Sequence, residues 1–214
     1  MSISVGNITS VVALGAQSTV PLAAPAGITV GDLLVIVQAG SASSATATVT
    51  STGGTWNPIS AATDTNQIAK IWAWYKIATS GDIGTAVTIG TGIYRYWTAG
   101  FYDIIGSSTS SPTATVADSN VYSPPVAPAI TTTSPGSLLI WSGGCNGAAS
   151  TGWSSGTAGF SQSGMVSNYI LNQSGTISGP TATGGGSTNW AAQTLAIAPP
   201  GTTFYPASLI MAGF

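Results

Sequence analysis

Five aspartates (Asp32, Asp64, Asp82, Asp103, Asp118), two lysines (Lys70, Lys76), Arg95 and Cys145 carry nearly all the acid, base and thiol chemistry of this 214-residue chain. Glutamate and histidine are absent. Without histidine there is no Ser-His-Asp or Cys-His nucleophile and no His-containing zinc site. Cys145 has no imidazole to activate it, and its Gly-Gly-Cys-Asn-Gly setting reads as a loop or strand end. Gly159-Phe160-Ser161-Gln162-Ser163-Gly164 lacks the G-x-S-x-G spacing of a nucleophile elbow. Gly184-Gly185-Gly186-Ser187 lacks the lysine of a phosphate-binding loop. Two carboxylates suffice for glycoside hydrolysis, but Asp32 and Asp82 each follow a glycine at a turn. Asp103 falls in a strand pattern, where burial beside Arg95 suits it, and Asp64 is the other carboxylate available to that guanidinium. Asp64-Thr65-Asn66 and Asp118-Ser119-Asn120 share a D-x-N spacing. Calcium prefers clustered carboxylates, and isolated ones of this kind form Asx turns. The expectation is a protein that is not an enzyme, with no catalytic residues, no cofactor and no metal.

Charged residues are 4% of the chain, against about 25% in an ordinary soluble domain. Three basic residues cannot build the stripe that nucleic acid requires, nor bind an anionic membrane surface. The longest strongly apolar run, Leu33-Leu34-Val35-Ile36-Val37, is far short of the roughly 20 residues of a spanning helix, so no membrane insertion is expected. A single cysteine excludes an internal disulfide framework. MSISVGNITS has no basic region followed by an apolar one, so no signal peptide is expected and the sequons at Asn7 and Asn172 carry little weight. So few charges leave little repulsion against association, which points to work inside an assembly.

These residues must sit on strands. Short runs rich in Val, Ile, Thr, Trp and Tyr alternate with turn signals such as Pro25-Ala26-Gly27, Gly53-Gly54, Ser80-Gly81-Asp82 and Pro135-Gly136. No window of ten or more residues has helical periodicity. Many short strands with regular turns predict a β-sandwich or barrel. There is an internal echo. Gly31-Asp32-Leu33-Leu34-Val35-Ile36 is answered by Gly136-Ser137-Leu138-Leu139-Ile140-Trp141, and the strand after Trp97 by the strand after Trp190. Both halves are expected to share one sandwich, a single domain over residues 1–200 followed by an apolar tail over 201–214.

Pro25-Ala26-Gly27 with Val30-Gly31-Asp32-Leu33-Leu34-Val35 resembles the opening of a jelly-roll domain common in bacteriophage virion proteins. The likeness continues through Gly53-Gly54-Thr55-Trp56, Tyr75-Lys76-Ile77-Ala78-Thr79, the Tyr102 strand, the segment from Thr131 to Ile140, and Leu195-Ala196-Ile197-Ala198-Pro199. It covers roughly residues 20 to 199, and departs from the usual pattern in losing most charged surface residues. The resemblance implies an all-β, jelly-roll-like antiparallel sandwich, lectin-like in build, on phage heads or tails. It implies no one activity.

Lys70-Ile71-Trp72-Ala73-Trp74-Tyr75-Lys76 is the densest group of candidate contact residues. With a period of two, Ile71, Ala73, Tyr75 and Ile77 face a core, and Lys70, Trp72, Trp74 and Lys76 face the other way. Lysine is rarely buried unpaired, so the ends of that second face are expected to reach water. Its indoles have three candidate covers: a loop of the same chain, a neighbouring subunit, or a sugar stacking on Trp72 and Trp74. Tyr94 and Tyr96 share a face, with Arg95 and Trp97 on the opposite one, and join the candidate ligand-binding set. In the tail, Phe204, Tyr205, Leu209, Ile210, Met211 and Phe214 are candidate subunit-interface residues, and Pro206 interrupts any ladder. They dock on a neighbour or carrier, or fold back over their own sandwich. The expectation is a non-enzymatic phage structural protein that decorates a capsid or belongs to a tail or fibre. It is made in the host cytoplasm and located in the virion. Its partners are its own copies, as the trimer the resemblance suggests, and other virion proteins. The alternative is a carbohydrate-binding module that engages a cell-surface glycan through Trp72, Trp74, Tyr94 or Tyr96.

Overall fold

Apolar runs between turn residues form strands, and almost no helix interrupts them. The computed structural model describes residues 2–13, 18–41, 47–63, 69–90, 97–119, 124–132, 134–145, 150–162, 165–184 and 189–201. The first half holds β1 (Ser4–Ala13), β2 (Thr19–Leu22), β3 (Leu33–Ser41), β4 (Thr48–Thr50), β5 (Asn57–Thr63), β6 (Ala69–Ile77), β7 (Val87–Gly90) and β8 (Trp97–Ile105). A 3₁₀ turn at Ser80–Asp82 precedes β7. The second half holds β9 (Thr113–Ser119), β10 (Ile130–Thr131), β11 (Ser137–Cys145), β12 (Ser150–Trp153), β13 (Thr157–Gln162), β14 (Met165–Gln173), β15 (Thr176–Ile177), β16 (Ala182–Gly184) and β17 (Trp190–Ile197).

The sheets show what the echo in the sequence means. The first half makes a five-stranded sheet, β1-β8-β3-β6-β5, and a smaller one, β2-β7-β4. The second half makes β9-β17-β11-β14-β13, with β10-β15 and β12-β16 in place of the smaller sheet. Each half therefore repeats the jelly-roll order, strands one, eight, three and six in one sheet and two, seven and four in the other. The fifth strand joins the sheet of the sixth. The motifs that echo in sequence are the equivalent strands β3 and β11, and β8 and β17. Gly31 and Gly136 hold the same place before β3 and β11 with φ of 100° and 79°, a region that disfavours any side chain.

The two five-stranded sheets pack face to face. Leu33, Val35, Val37, Ile71, Tyr102 and Ile104 of the first half meet Leu138, Ile140, Met165, Ala191, Leu195 and Ile197 of the second. The opposite face of each sheet is covered by the smaller sheet of its own half. Leu34, Ile36, Trp56, Trp74, Trp97 and Phe101 fill the first of these outer cores, and Leu139, Trp141, Trp153, Val166 and Trp190 the second. Strands β3 and β11 are thus buried on both faces, which is why their sequences run apolar without alternating.

The packing is close to self-complementary. Edge strand β1 lies against β13, and its equivalent β9 lies against β5, the equivalent of β13. That reciprocity is the signature of a two-fold, isologous contact. The strand ends Ala13, Gly40 and Trp97, with Thr63 and Lys70, fall together at one end of the first sheet. Ser4, Leu33, Ile104 and Ile77 fall together at the other, turn-rich end.

Candidate functional site

Four of the chain's charges converge at the turn-rich end of the first half. Lys76 reaches Asp82 at 2.9 Å, and both are buried, at 4% and 3% exposure. Lys76 also donates to the carbonyl of Gly53 and stands 5.8 Å from the centre of the Trp56 ring. Asp82 accepts from the Thr79 backbone N at 2.9 Å and from its Oγ1 at 2.8 Å. Burial pushes the Asp82 carboxyl up, but the hydrogen bonds from Lys76 and Thr79 and the lysine charge outweigh it, leaving the carboxyl below its usual value. Gly53 lies flat against this carboxylate, with no room for a Cβ. This group ties the 51–56 turn, β6 and the 3₁₀ turn into one unit, without presenting a charge to solvent.

The second pair is Asp32 with Asp103. Asp32 accepts from the Thr29 N at 2.7 Å and from the Thr29 Oγ1 at 2.8 Å. Asp103, on β8 and 1% exposed, lies against Asp32, and its Oδ1 has no hydrogen-bond partner. Burial first, and then the charge of Asp32, push its carboxyl up to about 6. The sequence suggested Arg95 as the companion of Asp103; the described companion is another acid, because the turn after Gly31 folds Asp32 onto β8.

A third polar group lies in the seam between the halves. Tyr102 Oη sits 2.5 Å from Ser167 Oγ, which is 3.1 Å from Ser142 Oγ. Beside it two glycines admit rings from the opposite sheet: a Cβ on Gly100 would stand 1.9 Å from the Phe160 ring, and one on Gly159 would stand 2.2 Å from Tyr102 Oη. Each half thus inserts an aromatic ring over a glycine of the other. A glycine inside a strand pattern signals such close approach, but the partner ring lies about 60 residues away in sequence in each case and has no local signal.

The face carrying Trp72 and Trp74 is covered by its own half. Trp74 is 7% exposed within the first outer core, and Trp72 is half-buried against it. The lysines at its ends do not reach water as expected. Lys76 is buried because Asp82 neutralises it, and Lys70 is 8% exposed. Gln38, between Trp72 and Ala99 in the ladder, is fully buried with neither amide atom hydrogen-bonded. Tyr94, Arg95, Tyr96 and Asp64 lie outside the described residues, as do the tail residues Phe204, Tyr205, Leu209, Ile210, Met211 and Phe214. Cys145 closes β11 opposite Trp190, and Asp118 lies opposite Ala191 on β9. Asn7, in the first sequon, donates to the carbonyl of Ala26 at 2.6 Å.

Two hollows open on the second half. One, of about 390 Å³, lies between Thr113–Thr115 and Ala129–Thr131. The other, of about 260 Å³, is lined by Ser108, Ser110, Ser134, Ser137 and Ala196 and borders Gly201. It occupies the place equivalent to the Asp32–Asp103 pair, since Ser137 matches Asp32 and Ala196 matches Asp103. Among the described residues no three His, Cys, Asp or Glu side chains gather closely enough to hold a metal ion. The chain matches no family model, and searches of curated proteins and of solved structures likewise return no match.

Proposed function

We propose that this protein is a non-enzymatic structural component of a bacteriophage virion, a capsid decoration or a tail or fibre part, working as an oligomer. One observation carries the reading. Two jelly rolls pack back to back, and the described charges and most of the described large aromatics are spent inside them rather than displayed. Among the described residues the outside is rich in Ser, Thr and Gly and poor in charge, with Val30, Ile83, Ile105, Val116 and Val126 exposed among them, a surface suited to repeated contact between copies. The chain enters β1 at Ser4 and leaves β17 at Ile197, both at the turn-rich end, so the segment after Gly201 starts from that end. A tail that docks there on a neighbour or carrier leaves the opposite end facing outward.

Light scattering after size exclusion, on the full chain and on a chain ending at Pro200, tests this reading. The full chain is expected to run as a defined oligomer that dissociates when Phe204, Tyr205, Leu209, Ile210, Met211 and Phe214 are removed. A full-length monomer at micromolar concentration, or an oligomer indifferent to the truncation, removes the tail-driven assembly.

A further inference from the structure

Strand β1 departs from its ladder at one place. Its register with β8 runs Val5 to Ile104 and then resumes at Ile8 to Tyr102, so Gly6 and Asn7 bulge opposite Asp103. The bulge fits the carboxyl: a Cβ on Gly6 would stand 2.5 Å from Asp103 Oδ2. Asn7 holds the bulge to the 23–32 turn through Ala26, and Thr29 holds the same turn to Asp32. Both Thr29 donors go to Asp32 Oδ2. Asp103, whose buried Oδ1 has no hydrogen-bond partner, is left facing Asp32.

We infer that the Asp32–Asp103 pair is a proton-held latch, whose single shared proton fastens the start of β1 and the Thr29–Asp32 turn to the sheet. Loss of that proton sets two carboxylates side by side in a buried site and releases both segments. Among the described residues little else can take the proton's place. The described part of β1 carries no titratable side chain, and the turn brings only Asp32. Strand β3 presents Leu34 between Asp103 and Lys76 in the ladder. Lys76 is two strands away and bound to Asp82. The Tyr102 hydroxyl is held by Ser167 in the seam.

The sign follows from linkage. Asp103 holds its proton more tightly folded, at about 6, than at its ordinary value of 3.8. The latch is therefore fully fastened below the ordinary value and loses its hold as pH rises through the folded one. Hydrogen exchange of the intact protein, corrected for intrinsic rates, reads this directly. Protection of the amides in Ser4–Gly6 and Thr29–Leu33 is expected to fall about tenfold between about pH 5 and about pH 8. Asp103→Asn is expected to abolish that dependence, and Asp32→Asn to reduce it, which keeps the test open if either variant folds poorly. Wild-type protection that does not change with pH overturns the latch. So does the same dependence in both variants.

Discussion

Gly100→Ala is expected to destabilise the protein by roughly 2–3 kcal/mol, a cost typical of overpacking, and to lose most of that cost once Phe160 is also alanine. The reason is steric and specific. The added methyl falls 1.9 Å from the Phe160 ring, in the seam where the two halves meet. The ring is tilted against Tyr102 with centroids 6.2 Å apart, so it has little space to retreat. Phe160→Ala alone gives up the ring's packing and leaves a void over Gly100. Urea unfolding of the four proteins in this cycle gives the coupling. Additive costs mean that Gly100 and Phe160 do not meet, and that the halves are joined differently.

Lys76→Met is expected to cost about 3–5 kcal/mol at neutral pH, the usual penalty for stripping one partner from a buried ion pair. Asp82 then keeps only Thr79, and its carboxylate stays buried without a cation. Adding Asp82→Asn to Lys76→Met should recover part of the loss, because the stranded charge goes with it. The pH dependence has a fixed sign. The Asp82 carboxyl lies below its usual value of 3.8 in the folded protein, so its contribution is present above that value and fades as pH falls through the folded one. Wild type and Asp82→Asn should converge in stability on acidification. Asp103 runs the other way, since its raised carboxyl favours the folded state at low pH. Thermal unfolding of the wild type, Asp82→Asn and Asp103→Asn across acid and neutral pH separates the two. A difference between wild type and Asp82→Asn that persists unchanged into strong acid refutes the ion-pair account.

The strands were legible because each is a local pattern. Ile71, Ala73, Tyr75 and Ile77 alternate with Trp72, Trp74 and Lys76, and the observed β6 has that alternation in its two cores. The turn glycines before β3 and β11 announced themselves through position, and so did the repetition of those two strands. The lysines misled, because the rule that lysine reaches water is a rule about unpaired lysine. Asp82 sits six residues beyond Lys76, and only the 3₁₀ turn brings it back.

By itself, then, the sequence determined an all-β chain, short of charge and without histidine chemistry, because period, turn residues and composition are local or additive properties; it carried a weak echo between halves, but one shared sandwich was expected where each half has its own. Only the tertiary structure decided that the halves are two jelly rolls set back to back, that Tyr102 and Phe160 cross between them, and that Asp103 faces Asp32. Those contacts join residues tens of positions apart, and nothing in a strand's alternation says which strand will lie beside it or which sheet will cover it.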